Sequence, residues 1–135
     1  IINGLTDFCH PCQVLADLMT IREFKGKLEG LKMCFIGDGN NMANSLIVGC
    51  LKVGMEVSIA CPEGYRPAQE VLDFANGYDC FTITDSPIEA AKNADIECAV
   101  IYDKYSDSER DEIMKLSNYY FNDFDEMLKQ INSEN

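Results

Sequence analysis

The stretch Leu31-Lys32-Met33-Cys34-Phe35-Ile36-Gly37-Asp38-Gly39-Asn40-Asn41 decides the fold that this sequence predicts. Its first six residues form a short, largely apolar run that ends at a glycine, which is typical of a strand buried in a parallel sheet. After the glycine-containing turn, four apolar residues are spaced as on one face of a helix: Leu46, Ile47, Cys50 and Leu51. The stretch therefore predicts a strand, a tight turn and a helix, the repeating unit of parallel α/β sheets.

The alternation of strands and helices continues along the chain. Further strands are predicted at residues 56–60, 80–83 and 96–101, and a fifth at residues 118–122. Helices are predicted to start at Pro11 and Ser86, to lie around Val71 and Ile113, and to run from Phe124 towards the end. We predict an α/β fold in a single domain, a three-layer doubly wound (Rossmann-like) parallel sheet of four or five strands.

Composition and charge narrow the class of protein. The 135 residues fit one domain, with 47% hydrophobic and 25% charged residues, as in ordinary globular proteins. A formal charge of -12 argues against nucleic acid or an anionic membrane as a partner, because both bind basic surfaces. Seven cysteines, mostly within apolar segments, indicate reduced thiols rather than a disulfide framework. We therefore expect a cytoplasmic protein.

The tetrapeptide His10-Pro11-Cys12-Gln13 is the first candidate site. Pro11 suits the first turn of a helix, and residues three apart share a helix face, so His10 and Gln13 are predicted to point the same way. Free backbone N–H groups at a helix start favour an anionic ligand. The alternative from these four residues alone is a capping His and a solvated Gln.

The same segment contains Cys9-x-x-Cys12, the spacing of a redox or metal motif. A thioredoxin-like site follows a strand, and no apolar strand precedes Cys9. A structural zinc site needs about four ligands, whereas the chain has one His and no second paired-cysteine motif. We predict no metal site, and the spacing is best explained as coincidence.

The turn Gly37-Asp38-Gly39-Asn40-Asn41 is the second candidate site, since ligands of open α/β sheets bind at the carboxyl ends of the strands. A dinucleotide is the obvious alternative ligand. However, Met42 occupies the expected third glycine position, and Ala60 and Cys61 stand where an acidic ribose partner would be. We therefore predict that the chain binds no NAD and no other cofactor.

The two motifs, in this order, resemble the second domain of the ornithine carbamoyltransferases, within the aspartate/ornithine carbamoyltransferase family. Other segments that match the family pattern, up to about residue 95, are Asn3–Asp7, Leu15–Leu18, Thr20–Glu23 and Pro62–Tyr65. The resemblance implies transfer of a carbamoyl group from carbamoyl phosphate to the δ-amine of ornithine, giving citrulline for arginine biosynthesis. The compact turn favours ornithine over aspartate as the ancestral substrate.

The resemblance also implies roles for individual residues. His10 and Gln13 match the family residues that touch the carbamoyl group, the imidazole polarising its oxygen as a developing oxyanion. Asn41 matches an asparagine that binds the α-amino or carboxylate end of the amino acid. Asp103 stands where the family has a substrate-binding Asp, and Asn44 stands where His is usual.

The resemblance is incomplete after the fourth predicted strand. Asp103 is not followed by the family's Ser-Met-Gly loop, and the later His-Cys-Leu-Pro loop and the first domain with its Ser-Thr-Arg-Thr phosphate clamp have no counterpart. Residues 1–135 are therefore expected to be an ornithine-binding-type domain, inactive alone. Its expected ligands are ornithine and carbamoyl phosphate. Its expected protein partner is a carbamoyl phosphate-binding domain, in the full-length protein or in a partner chain. Homo-oligomers are compatible with this expectation. The alternative is a non-catalytic relative that binds a metabolite or a protein.

Overall fold

The computed structural model describes residues 1–133, and the chain divides into two compact units. The first unit is Ile1–Asp95 and the second is Ile96–Asn135. Both contain parallel strands connected by helices, so the predicted α/β class is confirmed. No helix among residues 1–133 is long and apolar enough to cross a membrane.

The first unit is built on a three-stranded parallel sheet in the order β1-β2-β3. Its elements in chain order are α1 (Pro11–Lys25), β1 (Lys32–Ile36), α2 (Asn41–Lys52), β2 (Glu56–Ala60), α3 (Gln69–Ala75), β3 (Phe81–Thr84) and α4 (Pro87–Asn93). The register pairs Cys34 of β1 with Ser58 of β2, and Ser58 with Thr82 of β3. Because all three strands run in the same direction, their carboxyl ends meet at one edge of the sheet.

The predicted turn joins β1 to α2 through two local devices. Gly37 ends β1 with a φ of 150°, a backbone conformation that favours glycine. Asn40 then caps α2, because its side-chain oxygen accepts hydrogen bonds from the amides of Met42 (2.9 Å) and Ala43 (3.2 Å). The helix start is therefore held at the carboxyl edge of the sheet by residues of the turn itself.

The core of the first unit surrounds β2. Val57 and Ile59 belong to an apolar cluster that also contains residues of α1, α2 and α3, while Ser58, which points to the opposite face, is buried as well. Helix α4, with Ala90 and Ala91 buried, contacts all three strands. Successive strand residues point to opposite faces, and β2 is buried on both of them. The sheet is therefore covered by helices on both sides, as the doubly wound prediction requires.

The second unit is built on two parallel strands. Its elements are β4 (Ala99–Ile101), a 3₁₀ helix (Lys104–Glu109), α5 (Arg110–Leu116), β5 (Tyr119–Phe121) and α6 (Phe124–Ser133). Val100 of β4 lies opposite Tyr120 of β5. The Arg110 guanidinium lies 5.2 Å from the ring centre of Tyr102 and 5.7 Å from that of Tyr120, so cation–π contacts connect α5 to this small sheet.

The distribution of the strands differs from the prediction of four or five strands in one sheet. The described residues place three strands in one sheet and two in another. The fourth strand begins at Ala99 rather than at Ile96, because the Cys98 amide donates to the side-chain oxygen of Asn118 (2.9 Å) instead of to a strand neighbour. The predicted fifth strand is confirmed as Tyr119–Phe121.

Candidate functional site

The start of α1 lies against the start of α2. The backbone N–H of His10 donates to the Ser45 hydroxyl over 2.8 Å, and this hydroxyl donates to the Asn41 carbonyl over 2.8 Å. The Ser45 residue is only 8% exposed. One buried hydroxyl therefore connects His10 to the Gly37–Asn41 turn, and the structure brings together the two motifs that the sequence separates.

The segment before α1 completes this connection. The side-chain Nδ2 of Asn41 donates to the Thr6 carbonyl over 2.8 Å. Asn44, which is 5% exposed, donates to the Phe8 carbonyl (2.9 Å) and accepts from the Ala68 amide (3.0 Å). Asn44 thus ties α2 to the residues before α1 and to the start of α3. Hydrogen bonds in such a partly buried network hold the two helix starts in one arrangement.

The imidazole of His10 is oriented by the backbone. Its Nδ1 lies 2.6 Å from the Gly4 carbonyl oxygen, and a carbonyl oxygen only accepts, so Nδ1 carries a proton. The ring makes no capping hydrogen bond to α1, and the interpretation of His10 as a side-chain cap is therefore wrong. Nε2 is the other hydrogen-bonding atom of the ring, an acceptor in the neutral form and a donor in the imidazolium.

Gln13 and Asn41 are oriented in the same way as His10. Nε2 of Gln13 donates to the Asp17 carboxylate over 2.9 Å, and Nδ2 of Asn41 donates to the Thr6 carbonyl. Because carboxylates and carbonyls only accept, these bonds decide which end of each amide is the nitrogen. The oxygen of each amide, Oε1 of Gln13 and Oδ1 of Asn41, is then the atom available to a ligand.

The available atoms determine what the site can bind. With a neutral His10, all three side chains offer acceptors, which suit N–H donors such as a primary amide or an ammonium group. The first turn of α1 contains no acidic residue, and its amides add donors that suit an oxygen or an anion. Since Nδ1 already donates to Gly4, His10 can polarise a carbonyl oxygen only as the imidazolium.

Asp103 lies in the second unit, where it has a local structural role. Its carboxylate caps the 3₁₀ helix Lys104–Glu109 by accepting a hydrogen bond from the Tyr105 amide over 3.0 Å. The side chain is exposed, and such Asx contacts are common at the start of a turn. Binding of a substrate by Asp103 stays a prediction.

Ser45 and Asn44 are functional candidates to which no role is assigned from the sequence. Both lie on the buried side of α2, between Ala43 and Ile47, which are 0% exposed. A polar residue in the buried stripe of a helix must find hydrogen-bond partners inside the protein. Their burial on the helix was the signal in the sequence. Apart from Asn41, four positions before Ser45, the partners lie 24 or more positions away in the chain, and only the fold identifies them.

An apolar cavity of about 360 Å³ lies between α1 and α2. Its walls include Pro11, Leu15 and Val48, with Asn44 and Ser45 at one side. His10, Gln13 and Asn41 do not line it, so the polar atoms described above do not face this cavity. The candidate site is the polar edge next to it.

Comparison with known proteins shows which family the chain resembles. The family described as "Aspartate/ornithine carbamoyltransferase, Asp/Orn binding domain" matches residues 29–134. The ornithine carbamoyltransferase of Bacillus subtilis is 54% identical over 101 residues, which are 71% of this chain and 32% of that protein. The ornithine carbamoyltransferase of Methanococcus aeolicus is 46% identical over 125 residues, 86% of this chain and 41% of that protein.

Solved structures show the same relationship. The ornithine carbamoyltransferase from Pyrococcus furiosus has a TM-score of 0.65 and 43% identity, covering 85% of this chain and 39% of its own. The catalytic subunit of Methanocaldococcus jannaschii aspartate transcarbamoylase, at 23% identity and a TM-score of 0.58, shows the fold alone. The chain thus spans between 32% and 41% of the length of these curated relatives. It belongs to the aspartate/ornithine carbamoyltransferase family, in which it matches the Asp/Orn-binding domain.

Proposed function

We propose that this chain is the ornithine-binding domain of a cytoplasmic ornithine carbamoyltransferase. Such an enzyme transfers the carbamoyl group of carbamoyl phosphate to the δ-amine of ornithine, and the citrulline formed is used in arginine biosynthesis. The observation that carries the proposal is the Ser45 hydroxyl, which joins the His10 helix start to the Asn41 turn at one edge of the sheet. The relatives that bear this name support the choice of ornithine.

Each proposed role matches an available atom. Gln13 accepts a hydrogen bond from the carbamoyl amino group through Oε1, because its nitrogen is held by Asp17. Asn41 accepts from the α-ammonium of ornithine through Oδ1, because its nitrogen is held by Thr6. His10 in the imidazolium form donates from Nε2 to the carbamoyl oxygen, where negative charge develops during transfer. We also propose that Asp103 of the second unit contacts a substrate.

The charge of the chain supports ornithine rather than carbamoyl phosphate as the ligand of this domain alone. A formal charge of -12 attracts a cationic amino acid and repels a phosphate. Arg66, near the carboxyl edge of the sheet, donates to the Thr84 carbonyl over 3.0 Å and is held there. We assign the phosphate to a carbamoyl phosphate-binding domain, in the full-length protein or a partner chain, and therefore expect no citrulline formation by this chain alone.

Titration with ornithine, followed by backbone amide NMR, tests the proposal. We expect weak binding, with shifts at the Gly37–Asn41 turn and at the start of α1, because the remaining contacts of a closed site are absent. Asn41→Ala removes the proposed acceptor and should abolish the shifts. Asn76→Ala, at the exposed end of α3, is the matched control and should leave them unchanged.

Two results would contradict the proposal. Shifts confined to other parts of the chain would mean that ornithine binds elsewhere. Shifts that persist in Asn41→Ala would remove Asn41 from the site. A parallel assay of citrulline formation by the purified chain should give no turnover above the reaction without protein, and turnover typical of enzymes would show that the phosphate does not need a second domain.

A further inference from the structure

Two cysteines flank His10 at the start of α1. Cys9 precedes His10, and Cys12 lies in the first helical turn beyond Pro11. Disulfides join residues whose Cα atoms lie about 4.4–6.8 Å apart, so two cysteines three positions apart can be joined only where the chain turns between them. The chain passes from the non-helical residue His10 into the first turn of α1 at this point. Both cysteines are reduced in the structure.

Both thiols contact the same residue. Sγ of Cys9 accepts a hydrogen bond from the Asn3 side-chain amide over 3.3 Å, and Sγ of Cys12 donates to the Asn3 carbonyl over 3.5 Å. The Thr6 hydroxyl lies 3.6 Å from Sγ of Cys9. Since a single asparagine reaches both sulfurs, the two side chains point to the same side of the helix start. The sequence spacing alone does not establish this.

The two thiols differ in accessibility. Cys12 is exposed and Cys9 is half-buried, whereas Cys50 and Cys61 are buried in the core of the same unit. Thiol–disulfide exchange needs one thiol that the oxidant can reach and a second thiol close enough to attack the mixed disulfide. Cys12 meets the first requirement and Cys9 meets the second.

We propose that Cys9 and Cys12 form a reversible redox site that a small-molecule disulfide such as oxidised glutathione converts into an intramolecular disulfide. The thiolate of Cys12 attacks one sulfur of the oxidant, forming a mixed disulfide and releasing one thiolate. The thiolate of Cys9 then attacks the Cys12 sulfur and releases the second. Two protein thiols are oxidised, one small disulfide is reduced to two thiols, and the protons pass through solvent.

Oxidation at this place changes the surroundings of His10. The disulfide replaces both sulfur contacts to Asn3. Cys9 also holds Thr6 through two hydrogen bonds of its backbone: the Cys9 carbonyl accepts from the Thr6 N–H (2.8 Å), and the Cys9 N–H donates to the Thr6 hydroxyl (3.1 Å). The Thr6 carbonyl in turn holds Asn41. We expect oxidation to weaken ornithine binding, and this consequence, unlike the disulfide itself, depends on the proposed function.

Peptide mapping tests the disulfide directly. Trypsin releases residues 1–22 as one peptide, which contains Cys9 and Cys12 and no other cysteine. After treatment with oxidised glutathione, most of this peptide should have lost two hydrogens and resist alkylation by iodoacetamide until dithiothreitol is added. Residues 33–52, with Cys34 and the buried Cys50 in one peptide, are the internal control and should remain alkylated after denaturation. Equal or faster oxidation of the control peptide, or crosslinking between chains, would overturn the proposal.

Single substitutions identify the order of attack. Cys9→Ser should accumulate glutathione on Cys12, whereas Cys12→Ser should react slowly, because Cys9 is half-buried. The reverse pattern would overturn the assignment of Cys12 as the first thiol. The chain has one histidine, so its imidazole signals report the surroundings of His10 alone. They should shift on oxidation of the native chain and not of Cys12→Ser, and unchanged signals in the native chain would show that the disulfide does not reach the site.

Discussion

The Asn44→Ala substitution is the most direct test of how the two helix starts are held together. Asn44 is 5% exposed and makes two side-chain hydrogen bonds, to the Phe8 carbonyl and from the Ala68 amide. Its removal leaves both backbone groups without a partner, and each such buried group costs about 1–3 kcal/mol. Water can rehydrate the Phe8 carbonyl, because the Phe8 residue is 50% exposed. The loss in the free energy of unfolding should therefore come mainly from the Ala68 amide, and we expect about 1–3 kcal/mol.

Urea unfolding of the native chain and the variant measures this loss. With an m-value of about 2 kcal/mol per M, the midpoint should fall by about 0.5–1.5 M. Asn76→Ala removes an exposed amide at the end of α3 and should change the free energy of unfolding by less than about 0.5 kcal/mol. If Asn44→Ala costs no more than this control, the network around Asn44 does not hold α2 to its neighbours.

Two further predictions concern the contact between α1 and α2 and the thiol buried beneath it. A Cβ at Gly49 would lie 2.5 Å from Cγ1 of Val14, so Gly49→Ala should push the two helices apart and lower the free energy of unfolding by about 1–3 kcal/mol, as measured in urea. The control Gly77→Ala, whose Cβ would make only an ordinary 3.5 Å contact, should cost less. Equal losses for the two variants would refute the steric argument. Burial and, secondarily, the charge of Asp17 raise the pKa of the Cys50 thiol from 9.0 to about 11. The folded state binds this proton more tightly than the unfolded state, so the associated stability is present below pH 9 and lost as the pH rises to about 11. Cys50→Ala should lose less stability than the native chain across that interval, and parallel pH profiles would contradict the assignment.

The succession of elements follows from local sequence. Apolar runs such as Val57–Ala60 predict buried strands because a parallel strand loses both faces to helices. The Gly37–Asn41 turn was predicted because glycine directly follows the apolar run, a signal that acts within a few residues. His10, Gln13 and Asn41 were predicted as candidates from motifs of the same short range, and each of these signals is carried by neighbours in the chain.

The division of the strands and the connections within the site were decided by tertiary structure. The fourth strand starts late because Cys98 bonds to Asn118, 20 positions away, and no local pattern reports that choice. Ser45 joins His10 to Asn41 only because the fold places α1 beside α2.

The same distinction applies to the chemistry of the side chains. Residue types alone establish that His10, Gln13 and Asn41 can hydrogen-bond. Which atom of each is available for a further hydrogen bond depends on Gly4, Asp17 and Thr6, since these acceptors hold one nitrogen of each side chain. When folding brings the two partners of a hydrogen bond together, the order of residues in the chain does not tell which atom of the side chain the bond uses. The sequence by itself therefore determined the elements and the candidate residues, and only the tertiary structure decided how those residues are connected and oriented.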